Sequence, residues 1–260
     1  MLRLLHLADI HLGASFSCFD DIAGRRQRQL LEAFRRLPEI AEEEDVDAVA
    51  IAGDLFDGPQ PDGDIRLAVT DTLERFTQAG RPVFIVPGGH DTATLDSHPE
   101  PSMLGGARVL ASGAFGSPIS VHTAEGLLHV YGLAYDRDRE AAPLTTFERA
   151  DEPGVHLVIL HGSVEDALHW TDPAHSLRLP REALAGFAAD YIALGGDHRF
   201  RPPVELGPNN RIPACYAGAF VALDPSETGR HGYVIADLEA GKPPPGLAVY
   251  LRRYGGPGGR

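Results

Sequence analysis

The sequence predicts an α/β (α+β) fold, and three observations carry that prediction. Short apolar runs of strand length recur along the chain, at residues 2–8, 46–52, 83–86, 155–160 and 191–194. Amphipathic stretches of helical period separate the first three. Each run gives way at once to a cluster of Asp, His and Gly, as open α/β sheets do at the carboxyl ends of their strands, where their sites lie.

The central cluster is Gly53-Asp54-Leu55-Phe56-Asp57, which closes the run Val46 to Ala52. A sharp turn through Gly53 would hold Asp54 rigidly at the sheet edge, with Asp57 three residues further on. Asp9 and His11 follow residues 2–8, on the same side of an extended chain. His90 and Asp91 follow 83–86 after two glycines, His161 follows 155–160, and His198 follows 191–194. Together these runs would assemble one metal site from distant sequence.

Between the runs, the apolar spacing predicts a helix over 24–44, with Pro38 positioned to kink or split it, and a second over 64–79 ending at Gly80. Residues 92–125 carry only short β-like pieces near 107–111 and 118–122. Residues 127–133 read as a strand, and 136–153 as a helix-containing connection. A short helix is expected at 180–188, with strand-like segments at 213–222, 231–238 and 246–253. His98, His122 and His129 read as ordinary histidines. One domain over 1–255 and a frayed tail at 256–260 complete the expected organisation.

A chain of 260 residues with 43% hydrophobic content can build one large core. Its formal net charge of -14 argues against a broad phosphate-neutralising surface, as a caution and not an exclusion. Only Cys18 and Cys215 are present, which gives no disulfide framework and fits a reducing cytosol. Arg3, His6 and Asp9 interrupt the start of the chain, so it does not read as a signal peptide. A cytoplasmic protein without membrane spans is the expectation.

A mixed carboxylate and imidazole donor set suits Mn, Fe or Zn better than Ca or Mg. Two such ions can share one Asp and clamp the attacking and leaving oxygens of a phosphoryl centre. Asp54 is placed to be shared. A histidine that is not a ligand can protonate the leaving oxygen, and a nearby carboxylate can orient it.

Asp9-Ile10-His11, Gly53 to Asp57, Gly88-Gly89-His90-Asp91, His161-Gly162 and Gly195-Gly196-Asp197-His198 resemble, in order, the five motifs of the calcineurin-like metallophosphoesterases. Within that superfamily, Leu55-Phe56-Asp57, Ala193 to Gly195, His198-Arg199 and the stretch from Tyr216 to Gly232 resemble the SbcD-type DNA-repair exonucleases. The resemblance implies a four-layer fold, a two-sheet β-sandwich flanked by helices. It assigns a first divalent metal, Mn2+ above Fe or Zn, to Asp9, His11, Asp54 and His198. A second would rest on Asp54 and His161, with His90 as the leaving-group acid and Asp57 as its partner.

The sequence departs from the family pattern at the second metal, where Gly89 stands for an Asn and Gly196 for a His. Three functions therefore remain open. One is a phosphodiesterase acting on nucleic acid through a metal-held hydroxide, with DNA and an SbcC-type ATPase as partners. The others are a catalytically degenerate binding subunit and a small-molecule phosphoesterase.

Overall fold

The computed structural model describes residues 1–91, 94–95, 104–110, 115–134, 144, 147–164, 177–204, 214–241 and 248–252. His98, most of the 136–153 connection and the 256–260 tail lie outside these residues. Numbered in chain order, the strands form two mixed sheets. The first sheet contains β1 (Leu2–Leu7), β2 (Ala48–Ala52), β3 (Val83–Val86), β4 (Arg108–Val109), β12 (Tyr233–Leu238) and β13 (Ala248–Arg252). Its spatial order is β13-β12-β1-β2-β3-β4, with β1, β2, β3 and β4 parallel. The second contains β5 (Ile119–Thr123), β6 (Gly126–Leu133), β7 (Val155–Val164), β8 (Leu177–Leu179), β9 (Tyr191–Gly195), β10 (Arg201–Val204) and β11 (Ala214–Tyr216). Its order is β10-β11-β9-β7-β6-β5, and β8 pairs with β7.

Strand alternation sorts the side chains into layers. Leu5, Leu7, Val49, Ile51 and Ile85 join one buried cluster with Leu30, Phe34, Val69, Leu73 and Phe76. Those last five belong to α1 (Ala23–Arg35) and α3 (Gly63–Gln78), which cover the first sheet. Leu4, Ala48, Ala50, Ala52 and Phe84 join Leu128, Leu157, Ile159, Tyr191 and Ala193 in the layer between the sheets. A third cluster, with Leu160, Leu194 and Leu184 of α4 (Arg181–Ala185), covers the second sheet. Burial of each large aliphatic side chain contributes about 1.5–3 kcal/mol. The expected helix–sheet–sheet–helix layering is observed.

The helix predicted over 24–44 is two helices. The backbone breaks at Arg36, and α2 (Leu37–Glu43) restarts with Pro38 in its first turn, where a missing N–H costs nothing. The strand expected to end before His161 runs on to Val164, because His161 stays paired with Gly195 of β9 and residues 162–164 then pair with β8. Among the described residues of the strand-like 213–222, only Ala214–Tyr216 form a strand. Two apolar runs also hide histidines. His6 lies between the sheets against the Tyr191 hydroxyl at 3.0 Å, and burial pushes it down to about 3. His156 stacks on His129, which is fully buried, with ring centroids 4.5 Å apart. Among the described residues no helix is long and apolar enough to cross a membrane.

Candidate metal centre

The ends of β1, β2, β3 and β9, and His161 within β7, converge between the sheets. Alanines facing inward on β2 let the sheets approach closely. A Cβ on Gly195 would lie 1.7 Å from the Ala52 carbonyl oxygen, and one on Gly53 would lie 2.0 Å from His161 Nδ1. The two turns after β1 and β2 then lock together: Ile10 and His11 N–H donate to Asp54 O, Leu12 N–H to Leu55 O, and Asp57 N–H to Leu12 O. Asp9, His11 and Asp54 all hold positive φ, at 47°, 51° and 51°, a region that costs energy for residues other than glycine.

The geometry brings together every residue expected at the site, in three groups whose donor atoms lie within 4.8 Å of one another: Asp9, His11 and His198; Asp9, Asp54 and His161; and His11, Asp57 and His90. Asp54 Oδ2 is 3.3 Å from His161 Nε2 and 3.6 Å from His11 Nε2. Asp9 accepts the Gly196 N–H through both oxygens, at 3.0 and 3.1 Å. Asp9 thus also stands beside His161, a neighbour the sequence pattern had not supplied.

Three imidazoles are held in one manner. His161 Nδ1–H donates to Ala52 O at 3.0 Å, His11 Nδ1–H to Asp57 Oδ1 at 3.0 Å, and His198 Nδ1–H to Glu227 Oε1 at 2.6 Å. Each bond commits Nδ1 and turns Nε2 toward the carboxylates, so that Nε2 is the nitrogen a metal ion would take once its proton has left. His11 Nε2 is buried with no hydrogen-bond partner. An orphaned ring nitrogen against two buried carboxylates fits a cation.

One expectation changes. Asp57 was expected to orient His90, but its hydrogen bond runs to His11, because the Leu12–Phe56 bridge sets the two turns side by side. Asp197, beside Gly196, is buried. It is ion-paired to Arg201 Nε at 2.6 Å and accepts the Arg199 N–H. His90 N–H donates to Asp54 Oδ1 at 2.9 Å, and its ring meets the His11 ring edge-on at 4.9 Å.

Burial opposes charge on every group here, and the pairings decide the outcome. Burial raises the Asp9 carboxyl. It would raise Asp54 too, but the His161 charge and hydrogen bond hold Asp54 far below the usual carboxylate range. Burial would lower His161, but Asp54 and Asp9 raise it to about 10. His198 rises to about 9 against burial, through Glu227 and then Asp9.

Sequence reasoning missed two carboxylates. Glu227 lies 29 residues beyond His198, within the stretch from Tyr216 to Gly232, where the resemblance assigned no residue a role. Asp91, read only as part of a motif, is fully buried and accepts three backbone N–H groups, from Gly88, Leu55 and Phe56, at 2.8, 2.5 and 3.1 Å. It clamps the turn after β3 to the turn after β2. Asn in its place would turn an NH2 toward an N–H donor, so Asp91→Asn is expected to cost about 1–3 kcal/mol. A denaturant titration reads this as a lower midpoint with an unchanged slope. An unshifted midpoint would show that Asp91 is no clamp.

A two-sheet sandwich carrying a buried carboxylate–imidazole cluster at its strand ends is a metallohydrolase architecture. Residues 2–200 match the calcineurin-like phosphoesterase family, and the chain belongs to it. The chain is 38% identical over 96 residues to the DNA double-strand break repair protein Mre11 of Aeropyrum pernix, covering 36% of this chain and 22% of that protein. It is 28% identical over 281 residues to the SbcD component of the SbcCD nuclease of Rhodobacter capsulatus, covering 94% and 68% respectively. Among solved structures, a dimetal phosphatase from Danio rerio matches with a TM-score of 0.53 at 13% identity, covering 90% of this chain and 92% of that one. That likeness shows the fold alone. The chain spans from about a fifth to about two thirds of the length of the two curated relatives.

Proposed function

We propose that the chain is a metal-dependent phosphodiesterase acting on nucleic acid. The observation that carries this reading is the common orientation of His11, His161 and His198, each with Nδ1 tied back and Nε2 left to two buried carboxylates. Asp9, His11, Asp54 and His198 would hold one divalent ion, with Mn2+ favoured. Asp54 and His161, with Asp9 adjacent, would hold a weaker second. Bound ions would supply positive charge against the phosphoryl oxygens and lower the pKa of a coordinated water. His90 stands at the cluster to give a proton to the leaving oxygen, while Asp57 steadies His11. The Mre11 and SbcD relatives support DNA as the substrate and an SbcC-type ATPase as a partner.

A degenerate binding subunit is the second reading. Gly89 and Gly196 bring no donor side chains, and Asp197 is committed to Arg201.

Hydrolysis of bis(4-nitrophenyl) phosphate and of single-stranded DNA, with Mn2+ titrated from micromolar to millimolar, separates the readings. The expected result is saturable, Mn2+-dependent cleavage of both, abolished by chelator. Cleavage of the small diester alone, with the DNA left intact, moves the assignment to a small-molecule phosphoesterase. No cleavage at any metal concentration leaves the binding role.

A further inference from the structure

We propose that Glu227 is a positioning residue for the metal centre, delivered by the 219–231 segment, which lies beyond the family-matched residues 2–200. The proposal rests on the metal-dependent reading above. Both Glu227 oxygens are engaged by fixed donors: Oε1 accepts His198 Nδ1–H at 2.6 Å, and Oε2 accepts the Leu223 N–H at 2.8 Å. Its side chain is largely buried, so this is no loose surface pair. Two donors leave the carboxylate one rotamer, and that rotamer fixes the plane of the imidazole and the nitrogen it turns to Asp9 and His11.

The segment is built to hold that carboxylate still. Ala219 N–H donates to His198 O at 3.0 Å, so the segment starts against the very residue it later supports. The His231 ring spans its two ends, with Nδ1 at 3.2 Å from Ala219 O and Nε2 at 3.0 Å from Glu227 O. Arg26 of α1 donates to Ala222 O at 3.2 Å. Gly218, at φ 76°, lets the chain pass where a Cβ would sit 2.6 Å from Phe200 N. Such anchoring exceeds what a surface turn needs, and its product is one immobile carboxylate behind one imidazole.

Calorimetric titration of the full chain with Mn2+ tests this, in the parent, Glu227→Ala and Glu227→Gln, with unfolding midpoints measured in parallel. Glu227→Ala is expected to weaken Mn2+ binding by about 10–100-fold, the usual loss on removing a ligand's supporting partner. Glu227→Gln keeps an oxygen for His198 Nδ1–H and is expected to recover part of that loss. In the Zn2+-loaded chain, the His198 Nδ1–H proton resonance should be slow to exchange in the parent and Glu227→Gln, and lost in Glu227→Ala. A merely structural role would lower the midpoint without moving the resonance. If Glu227→Ala does not fold, the Gln variant carries the test through its affinity. Affinity within twofold of the parent in the variants, or no saturable Mn2+ binding by the parent, overturns the proposal. A parent that binds Mn2+ tightly and hydrolyses nothing overturns the phosphodiesterase reading while the role of Glu227 still stands on affinity.

Discussion

Asp54→Asn is expected to abolish metal-dependent hydrolysis, by at least about a thousandfold, in a protein that still folds. The loss of several kcal/mol of phosphoryl charge stabilisation converts to that factor. Asp54 stands at the crossing of the site, with Oδ2 facing two ring nitrogens and Oδ1 accepting the His90 N–H. An amide of the same shape must turn its NH2 toward one of these, and either choice fails. Toward His90 it opposes an N–H donor. Toward His161 and His11 it removes the negative charge that both rings face. The carboxylate has no room to swing away, since a Cβ on Gly88 would already come within 2.2 Å of Oδ1. The measurement is the rate of diester cleavage at saturating Mn2+, with circular dichroism to verify the fold. A variant keeping a tenth of the parent rate would remove Asp54 from the centre of the mechanism.

The second large effect is on folding. Gly195→Ala is expected to cost about 4 kcal/mol or more, a large share of the roughly 5–15 kcal/mol that holds a domain together. The added methyl would meet the Ala52 carbonyl oxygen at 1.7 Å, and this neighbour is backbone in the middle of the inter-sheet layer, not a movable side-chain tip. The two sheets would have to part at the point where the site is assembled. Gly63→Ala, at the start of α3 with open space around it, is the matched control and should be neutral within about 0.5 kcal/mol. Comparable unfolding midpoints for the two variants would refute the close-approach argument.

Much of this was legible in the sequence because the chemistry constrains residue types at strand ends. The turns after β1, β2, β3 and β9 announce themselves as Asp, His and Gly following apolar runs, and the fold places all seven singled-out residues together. What stayed hidden depends on contacts across the chain. The partner of Asp57 is decided by the Leu12–Phe56 bridge, which no local pattern encodes. Glu227 sits among Asp224, Pro225, Ser226 and Gly229, where its own sequence reads only as a turn. His161 looked like a residue beyond a strand because periodicity stops at the first polar side chain, whereas the backbone pairing with Gly195 continues. His6 and His156 were masked by the apolar residues on either side of them.

The pairing of Asp54 and Asp9 with raised imidazoles has one more implication. Held up to about 10 and about 9, His161 and His198 each carry a proton at neutral pH in the metal-free chain. Those protons set two positive charges against Asp9 and Asp54, at the same nitrogens that a divalent ion would need. Metal loading at the proposed centre would trade one kind of cation for another: uptake would release protons, and mild acid would drive the ion out as the rings reclaim them. The proposed centre would act as a proton-for-metal exchanger before any substrate arrives.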